Sequence, residues 1–178
     1  MKRSELEHLI RAAGRNAGDS EIVVIGSQAV LGQFPDAPPA LLRSMEGDLY
    51  PRNKPELADK VDGAIGEGSR FHQEFGYYAQ GVGPDTAILP RGWQRRLVRV
   101  ENENTGGYVG LCLEVHDLAL SKYAAGREKD LKFTRELAQH EMTHKRTLLR
   151  RLAATPLNAA LAKIVRGRIE RDFASPRT

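Results

Sequence analysis

The chain has 178 residues, of which 40% are hydrophobic and 28% charged, enough for a globular protein with a core of its own. No apolar run approaches the length of a membrane span, and Met1-Lys2-Arg3-Ser4-Glu5 does not open like a signal peptide. The single Cys112 excludes an internal disulfide and points to a reducing, cytoplasmic setting. Net charge is +4 but uneven: 13 Lys/Arg face 6 Asp/Glu from Arg127 onward, against 14 and 17 before it. A neutral-to-acidic front and a basic helical back are expected, the back suited to a polyanion.

In chain order, Leu6, Leu9, Ile10 and Ala13 follow helical spacing and predict a first helix over Ser4 to Gly14. Ile22-Val23-Val24-Ile25 reads as a short buried strand, closed by Gly26-Ser27. A short helix is expected over Gln28 to Gly32, stopped by the proline-rich Phe34 to Pro39, and another over about Ala40 to Ser44. Met45 to Tyr50 is the next strand, with Pro51 closing it. Leu57 to Ile65 is expected to be a helix, broken by Gly66, Gly68 and Ser69. The aromatic segment from Phe71 becomes a strand by Tyr77 to Val82, and Gly83-Pro84-Asp85 turns it. Leu89 to Trp93 is a loop, Arg96 to Val100 a half-exposed strand, Asn102 to Gly107 a hairpin-like loop, and Tyr108 to Val115 the last strand, with Cys112 in its core.

From His116 the pattern is helical. His116-Asp117 caps a helix that stops at Gly126. A second helix runs from near Arg127 to about His144, and a third from Pro156 with Leu157, Leu161, Ile164, Val165 and Ile169 as its stripe. Ala174 to Thr178 reads as a frayed tail. The order gives a mixed α/β (α+β) protein with two parts, residues 1–115 as core and 116–178 as a helical C-terminal part packing on it.

Three constellations carry chemistry. Gly26-Ser27 turns an apolar strand into a helix start, whose amides favour phosphate. Glu46 and Asp48, two apart on a strand, leave one face and can hold a hard divalent cation. Lys122, Arg127 and Asp130 flank a glycine-hinged helix turn. The lysine and arginine suit phosphates, and Asp130 either orients the lysine or takes a proton from an attacking hydroxyl.

Taken in this order, hydrophobic-Gly26-Ser27, Glu46/Asp48 and Lys122…Arg127-x-Lys129-Asp130 resemble the nucleotidyltransferase superfamily. The specific resemblance is to its toxin-type branch, the AbiEii-like abortive-infection toxins and the MenT-like toxins, over roughly residues 20 to 135. That resemblance implies a small mixed sheet flanked by helices with a C-terminal helical extension. It also implies a Mg2+-bound nucleoside triphosphate and transfer of a nucleotide to RNA, tRNA among the acceptors, or to protein. A cognate antitoxin is a further implied partner. It assigns Gly26, Ser27, Lys122 and Arg127 to the nucleotide, Glu46 and Asp48 to the metal and catalysis, and Asp130 to the cleft. Three departures stand out: Glu46 occupies the usual Asp position, no strand offers an obvious third carboxylate, with Asp85, Glu101 and Glu114 nearby, and the gap between Gly26-Ser27 and the acid pair is long. A catalytically inactive, nucleotide-, RNA- or protein-binding member is the alternative.

A competing motif is His140-Glu141-Met142-Thr143-His144, which fits His-Glu-x-x-His. On a helix its histidines would share a face and could hold zinc with Glu141 as base, the signature of a zinc metallopeptidase.

Overall fold

The computed structural model describes residues 1–174. Five strands form one mixed sheet: β1 (Glu21–Val24), β2 (Glu46–Pro51), β3 (Tyr78–Gly81), β4 (Val98–Val100) and β5 (Val109–Cys112), in the order β3-β2-β1-β5-β4. β1 is central, antiparallel to β2 and parallel to β5. β2 and β3 run parallel, and β4 closes the far edge antiparallel to β5. Among the described residues eight α-helices accompany the sheet: α1 (Arg3–Ala17), α2 (Val30–Gln33), α3 (Ala58–Ile65), α4 (Arg70–Phe75), α5 (Val115–Ala125), α6 (Glu128–Gln139), α7 (Lys145–Leu152) and α8 (Ala159–Ala174). The fold is therefore the mixed α/β arrangement that the order of apolar runs predicts.

The chain divides into two compact units. One comprises residues 1–86 and 97–114, the other residues 87–96 and 115 onward. The first holds the whole sheet. α1 and α2 press on one of its faces. A side chain at Gly47 would meet Leu9, one at Gly110 would meet Ile10, and one at Gly32 would meet Cys112. Strand alternation then sends Glu46 and Asp48 to the opposite face. Cys112 is fully buried, and burial pushes its thiol up to about 12, as befits a core residue.

Two buried carboxylates brace this unit. Glu7 accepts hydrogen bonds from Arg3 Nε (2.8 Å), Asn102 Nδ2 (2.7 Å) and Asn104 Nδ2 (2.9 Å). Asp19 accepts from the backbone amides of Glu21 (3.1 Å), Asn53 (2.7 Å) and Lys54 (3.1 Å) and from Asn53 Nδ2 (2.9 Å). Burial alone would raise both acids, but these donors outweigh it and hold both below the usual carboxylate range.

In the second unit α5 to α8 assemble around three buried aspartates. Asp117 is gripped by Arg96 (2.7 Å) and Arg151 (2.9 Å). Asp172 accepts from Tyr123 Oη (2.8 Å) and Thr134 Oγ1 (3.0 Å), tying α5, α6 and α8 together. Burial and the Asp172 charge push the Tyr123 phenol upward, so it stays a donor. Asp130 is the third.

Several elements differ from the sequence expectation, each for a local reason. α1 runs through Gly14, which is there because the Tyr108 ring lies where its side chain would be; Gly18, at φ 62°, is the actual cap. The segment after Pro38 makes only a 3-10 turn at Pro39–Leu41, and the aromatic segment first forms α4. β5 ends at Cys112, and α5 already begins at Val115, so His116 and Asp117 lie inside the helix. α8 starts at Ala159, where Asn158 Oδ1 accepts the amide of Leu161 (2.8 Å). Ile164 is exposed, leaving Val165, Ile169 and Asp172 as the buried face of α8. The tail reading at Ser175–Thr178 lies outside the described residues.

Candidate active site

The first two constellations meet in the sheet unit. β1 ends at Val24, and the amides of Ile25 (3.0 Å) and Gly26 (3.4 Å) both point to the carbonyl of Asp48 on β2. The turn after β1 is thereby pinned to the middle of the acidic strand. Gly26 is extended (φ −79°, ψ −176°), a conformation open to any residue. What makes it glycine is contact: a Cβ there would lie 2.0 Å from Asp48 Oδ2 and 2.7 Å from its Cβ. The side chain of Asp48 occupies the space that the missing Cβ leaves. Ser27 begins a 3-10 turn that continues into α2, so the helix start is present but short. The neighbouring Gln28 is fully buried, and its Oε1 has no hydrogen-bond partner among the described residues.

Glu46 and Asp48 are both half-buried and leave the same face, while Gly47 and Leu49 are buried under the other. In register, Glu46 lies opposite Tyr78 and Asp48 opposite Gln80. Glu46, Tyr78 and Gln80 line a hollow of ≈ 230 Å³ together with Asp62 and Glu67. The Tyr78 phenol is pushed up by burial and by the charges of Glu46, Glu67 and Asp48, so it remains protonated.

Asp62 and Glu67 are not among the acids expected from sequence, because neither lies on a strand. They sit at the end of α3 and in the turn after it, which the parallel β2–β3 crossover carries to this hollow. Two of the nearby acids named from sequence lie elsewhere. Glu101 pairs with Arg99 (2.6 Å) beside β4, at the far edge of the sheet, and Asp85 is exposed in a 3-10 turn.

The donor set on this face is carboxylate oxygen, which suits a hard cation. Mg2+ usually takes one or two carboxylates and fills its octahedron with phosphate oxygens and water. Glu46 and Asp48 fit that demand. Among the described residues no three His, Cys, Asp or Glu side chains gather into a metal site of their own.

The third constellation lies in the helical unit. Gly126, at φ 67°, turns the chain from α5 into α6, and a Cβ there would also strike the Arg168 guanidinium at 2.1 Å. Arg168 Nη1 donates to the carbonyl of Tyr123 (2.5 Å), fixing the end of α5. Across this turn Asp130, only 2% exposed, pairs with Arg127 Nε (2.6 Å) and Lys122 Nζ (3.5 Å). Burial would raise Asp130, but the Arg127 hydrogen bond and the Lys122 charge prevail and hold it low. An acid held low is a weak proton acceptor. The geometry favours its orienting role over its basic one. Lys122 is 14% exposed and Arg127 59% exposed, so the arginine reaches outward.

Residues 4–159 match the family model described as nucleotidyltransferase of unknown function (DUF6036). The chain belongs to this nucleotidyltransferase family. No curated protein and no solved structure matches it.

The zinc motif of His140 to His144 does not survive folding. α6 stops at Gln139 and α7 starts at Lys145, so no helix carries both histidines. Between them Glu141 takes φ 55°, its amide bonds Ala138 O (3.2 Å), and the amide of Met142 reaches back to Leu137 O (2.9 Å). That is a Schellman cap with glutamate where glycine is usual, and its apolar residue, Met142, is buried beside Leu137. His140 lies 3.6 Å from Glu136, and His144 donates its backbone amide to His116 Nε2 (2.9 Å). His116 thus caps α7 and not its own helix.

No helix among the described residues is long and apolar enough to cross a membrane.

Proposed function

We propose that this nucleotidyltransferase moves a nucleotide from a Mg2+-bound triphosphate to RNA, with tRNA the first acceptor to test, as the cytoplasmic toxin of a toxin–antitoxin pair. The observation that carries the proposal is the packing of Gly26 against Asp48. Two motifs 22 positions apart in sequence are in contact, with the glycine of the turn shaped to the carboxylate. In this reading Glu46 and Asp48 hold the metal, which would neutralise charge on the triphosphate. Gly26 and Ser27 present the backbone turn to the phosphates. Lys122 and Arg127 bind phosphate oxygens, and Asp130 positions both. The acceptor hydroxyl oxygen bonds to the α-phosphorus, the bond to the β-phosphate bridging oxygen breaks, pyrophosphate leaves, and the hydroxyl proton is released.

Incubation with each α-labelled triphosphate, magnesium and total RNA tests the chemistry. Label in the RNA fraction, lost with Asp48→Ala and kept with an exposed-surface control such as Lys60→Gln, supports transfer to RNA. Label in the protein fraction would move the acceptor to protein. Triphosphate retained without transfer would support the binding-only reading. Growth arrest on expression, relieved by Asp48→Ala, tests the toxin role.

A further inference from the structure

The excess positive charge of the helical unit is concentrated on α7 and α8. α7 contains no acid, and its Lys145, Arg146 and Arg150 are exposed. α8 exposes Lys163 and Arg166; of its two acids, Asp172 is buried against Tyr123 and Thr134, which leaves Glu170 as the exposed one. Among the described residues none of Lys145, Arg146, Arg150, Lys163 and Arg166 joins an ion pair. Several other cations of this unit do join them: Arg96 and Arg151 hold Asp117, Lys122 and Arg127 hold Asp130, and Lys132 pairs with Glu128. Arg146 and Arg150, four apart, stand one above the other on α7.

We propose that the exposed cations of α7 and α8 form a docking surface for the phosphate backbone of RNA. Charge complementarity supplies the first argument, since guanidinium groups without carboxylate partners are ready to chelate phosphates in pairs of hydrogen bonds. The second separates RNA from an anionic membrane. A helix that lies in a bilayer surface needs an open apolar face. Here Leu148, Leu152, Val165 and Ile169 are packed inward, and only Ile164 among the large apolar side chains of α7 and α8 is exposed. The proposal takes from the function above only the nature of the acceptor, and names where that acceptor is held.

The test is fluorescence anisotropy with labelled unfractionated tRNA over a salt series, without triphosphate or magnesium, so that failure of the chemistry cannot mask it. The Arg146→Gln/Arg150→Gln protein should bind about tenfold more weakly, and its plot of log affinity against log salt should be shallower by about 1.4. Lys60→Gln in the sheet unit should bind tRNA like the parent. Circular dichroism verifies that the double variant is folded. Unchanged affinity and slope in that variant would overturn the proposal. So would binding to phosphatidylserine vesicles with none to tRNA. Binding that depends on α7 with no nucleotide transfer would leave the docking surface standing and remove the enzyme reading alone.

Discussion

The sheet unit and the helical unit both bury carboxylates, but they satisfy them differently. In the sheet unit Asp19 is held entirely by amide N–H groups and Glu7 mostly by asparagine amides. In the helical unit Asp117 and Asp130 are held by arginine and lysine. Amide donors bring no positive charge into the unit that carries Glu46, Asp48, Asp62 and Glu67. The cation-rich unit neutralises its interior and still has charge left for its surface. The same physical need, a partner for a buried carboxylate, is thus met without cations in one unit and with them in the other, which agrees with the metal proposed for the first and the phosphate proposed for the second.

The largest effect should come from the sheet unit. Glu7→Ala strands Arg3, Asn102 and Asn104 and is expected to cost about 2–4 kcal/mol, read by chemical denaturation. Gly26→Ala comes next. Its backbone conformation is acceptable to alanine, so the whole cost is the collision with Asp48, about 1–3 kcal/mol, and nucleotide transfer should be lost with it. Activity intact in Gly26→Ala would break the link between the turn and the carboxylate. Gly126→Ala, the counterpart in the helical unit, combines a left-handed backbone with the Arg168 contact and should cost about 1–2 kcal/mol.

Acid reaches both units. Glu7, Asp19 and Asp130 are all held below their unfolded values. Their contribution is complete above the unfolded carboxylate range of about 4, and is lost as pH falls through the lower folded values. Stability should therefore drop steeply below about pH 4, and Glu7→Gln should flatten that drop. The smallest effect is expected from Arg127→Gln. Its side chain is 59% exposed and Asp130 keeps Lys122, so stability should change by less than about 1 kcal/mol. A weaker triphosphate affinity in that variant, measured by calorimetry, would sharpen the part proposed for the outward-reaching arginine.

What could be read from the sequence followed periodicity and chemistry. The apolar run of β1 and the spacing of Glu46 and Asp48 were legible, because strand alternation depends on the residues themselves. The acids Asp62 and Glu67 were not, because a crossover brings them in and no local pattern announces it. The break at His140 to His144 was hidden for another reason. Its C-cap uses Glu141 at a positive φ, without the glycine that normally signals one, so the helical pattern of the sequence runs on past the real helix end. Gly14 misled in the opposite direction: it looked like a helix stop and is a point of close contact with Tyr108.

The long interval between Ser27 and Glu46 departs from the compact spacing expected of such sites, yet it has little bearing on the chemistry. β2 is positioned by its ladder with β1, where Val23 faces Tyr50 and Val24 faces Leu49. The connecting segment has only to close, at a cost that grows with the logarithm of its length. Residues inserted near Asp36 would lengthen a bridge and leave both abutments where they are. One residue inserted inside β2 would turn Gly47 and Leu49 toward the acidic side and bury the carboxylates under α1.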